Sequence, residues 1–166
     1  PWSIKHMQDA ASAAGVSHHR LILATRVAPP DYLARFTQAD LFLDTFPYNA
    51  GTTANDALWM GLPILTHSGQ SYISRMAGSL LHWLDLDEFI CKSQVEYEHR
   101  AIALANEETR QTVRQARRRL LALKASGELF NTERFAKDFE DKLLRLMDQG
   151  SSHRPTLHKA RNPVHG

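Results

Sequence analysis

Apolar residues recur along this chain in two rhythms. Ile4, Met7, Ala11 and Ala14 fall three or four positions apart, the spacing of one helical face, and Gly15 supplies a stop. Leu21-Ile22-Leu23-Ala24 is instead a short continuous apolar run, which predicts a buried strand. Pro29-Pro30-Asp31 opens a short helix through Tyr32, Leu33 and Phe36, since proline is tolerated in a first turn. Leu41-Phe42-Leu43 reads as the next strand, Thr52 to Met60 as a helix closed by Gly61, and Pro63-Ile64-Leu65-Thr66 as another strand. Ile73 to Leu84 predicts a long helix with Met76, Leu80 and Trp83 along one face, and a last strand or turn falls near Phe89-Ile90. Three helices then follow, from Gln94 to Ala105, from Glu107 to Ala125 and from Asn131 to Met147. In the last, Phe135, Phe139, Leu143 and Leu146 form an apolar stripe. From Ser151 onward the prolines, histidines and basic residues show no periodicity, which predicts a disordered tail over 151–166 behind a domain over 1–150.

Short apolar strands alternating with helices predict an α/β fold with a parallel sheet. Ligands bind such sheets beyond the carboxyl ends of the strands. Two loops come to that edge. One runs from Thr45 to Gly51 after the strand ending at Leu43-Asp44, and the other carries Val27 to Tyr32 after the Leu21–Ala24 run.

Composition narrows the class. The 166 residues are 43% hydrophobic and 23% charged, which fits a folded globular domain. A net charge of +2 gives a nucleic-acid partner little support. The single cysteine, Cys91, excludes an internal disulfide framework and a multi-cysteine zinc site, and fits a reducing, cytoplasmic setting. No apolar run approaches a membrane span and no signal peptide opens the chain, so no membrane partner is expected.

The chemistry concentrates in LFLDTFPYNAGTTANDALWMGLPILT, Leu41 to Thr66. Its GTT triplet stands at a helix start, where unpaired N–H groups and the helix dipole favour a phosphate or diphosphate. Thr52 and Thr53 could donate to such a group, but Thr53-Ala54-Asn55-Asp56 also has capping-box spacing, and both readings fit. Asp56 could accept from ribose hydroxyls or close that box. Gly51 permits close backbone approach, and Asn49 could turn the loop through its side chain. Tyr32 could stack on a base and Arg35 donate to its carbonyls, or both could be ordinary surface of an amphipathic helix. Asp44 is either polar machinery or a loop anchor accepting backbone N–H groups. Among nine histidines only His67, after a strand, draws notice. No His/Asp/Glu constellation stands at metal-ligand spacing, so no metal is expected.

Continued by SGQSYISRMAGSLL, and later by YEHRAIALAN, RRRLLAL and SGELFNTERFAKDFE, the segment resembles the C-terminal catalytic part of the O-linked N-acetylglucosamine transferase (SPINDLY-type) glycosyltransferases, over roughly residues 20 to 148. The resemblance implies the partial Rossmann-like C-terminal half of a GT-B enzyme. The donor would be UDP-GlcNAc, without metal or other cofactor. The acceptor would be a serine or threonine of a protein, and an N-terminal half, often with tetratricopeptide repeats, would complete the enzyme. Carried over, it puts Thr52 and Thr53 on the diphosphate, Asp56 on the ribose, and the Val27 and Ala28 backbone with Arg35 on the uracil. Tyr32 stands where relatives have an aromatic residue or a histidine. Two departures stand out: Gly51 replaces a frequent histidine, and Pro29-Pro30 stand where some members have a lysine. A glutamine and a lysine that members carry upstream are absent here, as is the other half. The chain alone is therefore expected to be catalytically incomplete, and no catalytic residue is assigned. The competing readings are a related GT-B protein, such as a protein fucosyltransferase or UDP-sugar epimerase, and an interaction module built on Arg114, Arg117, Arg118 and Arg119. For that run the plain alternative is a solvated helix face, with Val113, Ala116, Leu120 and Leu123 buried behind it.

Overall fold

A computed structural model describes residues 2–151. The tail expected over 151–166 therefore lies outside the described residues, apart from its first position. Helix α1 spans Trp2–Ala13, and Gly15, with φ of +74°, lets the backbone reverse behind it. A short 3-10 turn, His18–Arg20, leads into an extended stretch and then α2, Pro29–Arg35. Three strands form one parallel sheet in the order β1-β2-β3: β1 (Phe42–Leu43), β2 (Ile64–His67) and β3 (Ile90–Cys91). Phe42 and Leu43 pair with Ile64 and Leu65, and Thr66 and His67 with Ile90 and Cys91. Between the strands lie α3 (Thr52–Trp59) and α4 (Met76–Trp83); α5 (Gln94–Ala105), α6 (Arg110–Ala125) and α7 (Thr132–Ser151) follow. None of these helices is long and apolar enough to cross a membrane.

The core sits around β2. Ile64 and Leu65 are fully buried against Ala54, Ala57 and Leu58 of α3 and Ala77 and Leu81 of α4, with Val113, Ala116 and Leu120 of α6 closing the far side. Gly61 turns the chain after α3 with φ of +78°, and a Cβ there would come 2.8 Å from Leu121 of α6. Glycine thus answers both the left-handed backbone and the close approach of α6. Of the five arginines of α6 four are engaged: Arg117 donates to the Ala39 carbonyl, Arg119 pairs with Asp85 at 2.8 Å, Arg114 with Glu107 at 3.5 Å, and Arg110 with Glu107 at 3.3 Å and Asp40 at 3.5 Å. That matches the solvated face expected of this run rather than one open basic surface.

Two expectations fail. Leu21–Ala24 forms no strand: Ile22 is 90% exposed, and β1 pairs with β2 alone among the described residues. An apolar run supplies strand propensity, but a strand also requires a neighbour to accept its ladder bonds. The long helix from Ile73 is split into a 3-10 turn, Ile73–Arg75, and α4. Within α4 the core face is centred on Ala77, Gly78 and Leu81, with Leu80 partly buried beside them and Trp83 55% exposed. The stripe of α7 exists, but Phe135, Phe139, Leu143 and Leu146 are all exposed, with Phe135 and Phe139 stacked on each other.

At the end of α4 the His82 Nδ1 lies 2.7 Å from Asp87 Oδ1, both side chains well exposed. The hydrogen bond to Asp87 holds the His82 pKa above the ordinary 6.5, with the Asp87 charge adding to it. A raised folded pKa contributes stability that is complete below the unfolded value and fades as pH rises through the folded one. The His82 ring resonances should therefore titrate above 6.5 by NMR. Asp87→Asn should bring the midpoint down toward that value, and an unmoved midpoint would contradict the pairing.

Candidate functional site

The loop from Asp44 to Gly51 is built around two buried side chains. Asp44 is 5% exposed at the end of β1. Its Oδ1 accepts N–H bonds from Thr45 at 2.9 Å and Ala50 at 2.8 Å, so one oxygen grips both ends of the loop. Its Oδ2 accepts the Thr66 hydroxyl at 2.7 Å, tying the loop to β2, and the Tyr97 hydroxyl donates to the Asp44 carbonyl at 2.9 Å. Of the two readings of Asp44, the structure takes the loop anchor. Asn49 is fully buried, and its Nδ2 donates to the Thr45 and His67 carbonyls at 2.8 and 3.3 Å, across the base of the turn. His67 stacks on Phe46 with ring centroids 4.0 Å apart, a packing role at the loop's edge.

This loop delivers Gly51 as the N-cap of α3, with no side-chain capping bond. The Ala54 and Asn55 N–H groups donate to the Gly51 carbonyl, while those of Thr52 and Thr53 meet no acceptor among the described residues. The Thr53-to-Asp56 capping box does not form, because the helix starts too early: Thr53 is its second residue, not its cap. Asp56 is half-buried and its Oδ2 instead accepts the Tyr32 hydroxyl at 3.2 Å. Burial pushes the Tyr32 phenol above its ordinary value of 10.0; a hydrogen bond with Thr53 acts the other way, and the bond to and charge of Asp56 add to the rise. The phenol is therefore the donor to Asp56 at neutral pH. Thr52, Thr53, Asp56 and Tyr32 thus share one rim.

The Val27–Ala28 stretch reaches the same rim without a strand behind it. Ala28 is the N-cap of α2 and its carbonyl accepts the Tyr32 N–H at 2.9 Å. Val27 is half-buried. Arg35 Nη1 donates to the Thr25 carbonyl at 2.6 Å, so its guanidinium braces this stretch against α2. The bracing of Thr25 by Arg35 and the bond of Tyr32 to Asp56 span 10 and 24 residues, and neither left a local trace in the sequence. At Gly51 a Cβ would come 2.9 Å from Met76 Cε, so the methionine methyl occupies the space beside the glycine.

Outside the rim, a cleft of about 690 Å³ opens beside α5 and α6, lined by Phe89, Glu96, His99, Arg100 and Thr112 among others, and contains none of the residues above. Cys91 is buried; burial first, and then Glu96, push its thiol up from its ordinary value, which disfavours a reactive thiolate.

Known proteins resemble this chain in sequence and fold. The family pattern described as glycosyl transferase family 41 matches residues 3–139. The chain is similar to the UDP-N-acetylglucosamine–peptide N-acetylglucosaminyltransferase of Caenorhabditis elegans, 28% identical over 95% of this chain and 14% of that protein. It is 31% identical, over 82% of its length, to a probable transferase of the same description from Arabidopsis thaliana, and 32% identical, over 66%, to a probable SPINDLY transferase of Oryza sativa. It spans about 14% of the first of these two and 12% of the second. Among solved structures, a mutant of the Thermobaculum terrenum O-GlcNAc transferase superposes with a TM-score of 0.77 at 32% identity, covering 87% of this chain and 28% of that one. The match over residues 3–139 and the superposed fold agree: the chain belongs to glycosyl transferase family 41.

Proposed function

We propose that this chain is the UDP-binding portion of a protein O-GlcNAc transferase, which moves N-acetylglucosamine from UDP-GlcNAc to serine or threonine of an acceptor protein. The observation that carries the reading is the free amino end of α3, where the Thr52 and Thr53 N–H groups lack acceptors and Asp56 stands one turn on. The diphosphate would sit on those amides and on the threonine hydroxyls. Their positive end of the helix dipole would stabilise the charge that develops on the diphosphate as it leaves the anomeric carbon. Asp56 would accept from the ribose hydroxyls, and the Val27–Ala28 backbone with Tyr32 and Arg35 would hold the uracil. In this reading the reaction is an inverting displacement without metal, and the acceptor and the remaining donor contacts come from an N-terminal half, with tetratricopeptide repeats presenting the acceptor. The relatives' greater length and the exposed Phe135–Leu146 face of α7 support such a larger body.

UDP titrated calorimetrically into a polypeptide joining this segment to such a half should bind at least about tenfold more weakly after Asp56→Ala, the loss expected for hydrogen bonds to a charged group. Equal affinity would remove Asp56 from the ribose. The 166-residue chain by itself should bind UDP weakly at best and transfer no sugar. Transfer by the purified chain would refute its incompleteness.

A further inference from the structure

Helix α2 carries Tyr32 and Arg35 but buries no residue of its own. It is held at its carboxyl end by Phe36, which packs against the core, and by two polar ties one helical turn apart. Arg35 reaches back to the Thr25 carbonyl, and Tyr32 reaches across to α3 and Asp56. Phe36 meets the Tyr32 ring edge-on, with centroids 5.2 Å apart, which fixes the ring plane and aims the hydroxyl. A carboxylate has about four lone-pair sites. The phenol occupies one on Oδ2, and Asp56 Oδ1 takes no hydrogen bond among the described residues.

We propose that the Tyr32 hydroxyl is a positioning group: it clasps α2 to α3 through Asp56 Oδ2, orients the carboxylate with Oδ1 open to a vicinal diol, and so makes the base and ribose contacts one rigid unit. The inference rests on the nucleotide reading of the rim. It differs from stacking on a base, which needs the ring face and not the hydroxyl. A protonated phenol suits the task, since burial and Asp56 both favour that form. The loop that delivers the diphosphate subsite has its own anchor in Asp44, so of that subsite the clasp touches only the Thr53 hydroxyl.

Tyr32→Phe separates these parts, keeping the ring and its contact with Phe36 while deleting the hydroxyl's bonds to Asp56 and Thr53. Hydrogen–deuterium exchange on the ligand-free 166-residue chain should show α2 opening at least about threefold faster in the variant, as for a segment with few buried contacts that loses a tie. Asp56→Ala should speed α2 to a similar degree, since it removes the other end of the same bond. In NMR titrations of the segment joined to an N-terminal half, Tyr32→Phe should weaken uridine about tenfold and inorganic pyrophosphate far less. General destabilisation would weaken both ligands. Unchanged α2 exchange in both variants would overturn the clasp whether or not a ligand binds. Failure of the unaltered joined polypeptide to bind either ligand, with α2 still faster in both variants, would count against the nucleotide reading and leave the clasp standing. Equal uridine affinity in Tyr32→Phe would overturn its link to the ribose.

Discussion

Asp44→Ala should destabilise the chain by about 2–4 kcal/mol in urea denaturation, because it strands three donors that one carboxylate now satisfies. The Thr66 hydroxyl suffers most: Thr66 is fully buried and its hydroxyl has Asp44 Oδ2 as its acceptor. The Thr45 and Ala50 amides lie in a loop and can recover part of the loss from water. Thr66→Val removes one bond and should cost less, about 1–2 kcal/mol. The consequence for the site should be as large as that for stability. With both ends of the loop released, Gly51 no longer presents the first turn of α3 in one orientation, so the Thr52 and Thr53 amides should broaden in NMR spectra. A variant within about 0.5 kcal/mol of the original protein, the range of an ordinary surface change, would show that Asp44 does not anchor the loop.

Phe89→Ala should have the largest effect of any single truncation, about 3–5 kcal/mol, from lost apolar transfer and the cavity left behind. Phe89 is 0% exposed and is the largest of the fully buried side chains. It enters the core just before β3, in a 3-10 turn (Asp87–Phe89) too short to repack around a void. A melting temperature lower by roughly 6–20 °C is expected for a domain of this size. A drop of under about 2 °C would mean that the surroundings collapse onto the void, the main source of variation in such substitutions.

What could be read in advance depended on whether its cause was local. Gly15 and Gly61 marked helix ends because a left-handed φ is a property of one residue and its neighbours, and both have that φ. Pro29 and Pro30 marked a helix start for a similar reason. The strands at Phe42 and Ile64 were legible because each lies between turn signals and also has a partner in the sheet. Leu21–Ala24 has the same local pattern but no partner among the described residues, and pairing is a long-range event that composition does not report. Trp83 was misplaced because apolar spacing along α4 does not tell the face that meets the core, centred on Ala77 and Leu81, from the face beside it. At the site, the GTT triplet was visible as a helix start, yet the box spacing pointed to a cap at Thr53 that Gly51 pre-empts. The partners of Asp44, Arg35 and Tyr32 became apparent only with the fold, because each lies on a different element or loop.

At Gly51 the methyl group of Met76 has an evolutionary consequence. A side chain added there meets the free end of a flexible residue rather than backbone. Glycine and a residue with a Cβ are therefore separated at this position by a swing of the methionine side chain. The loop beneath them, gripped by Asp44, does not have to be rebuilt along that path. The side chain at position 51 can thus drift while the loop that supports it stays as it is.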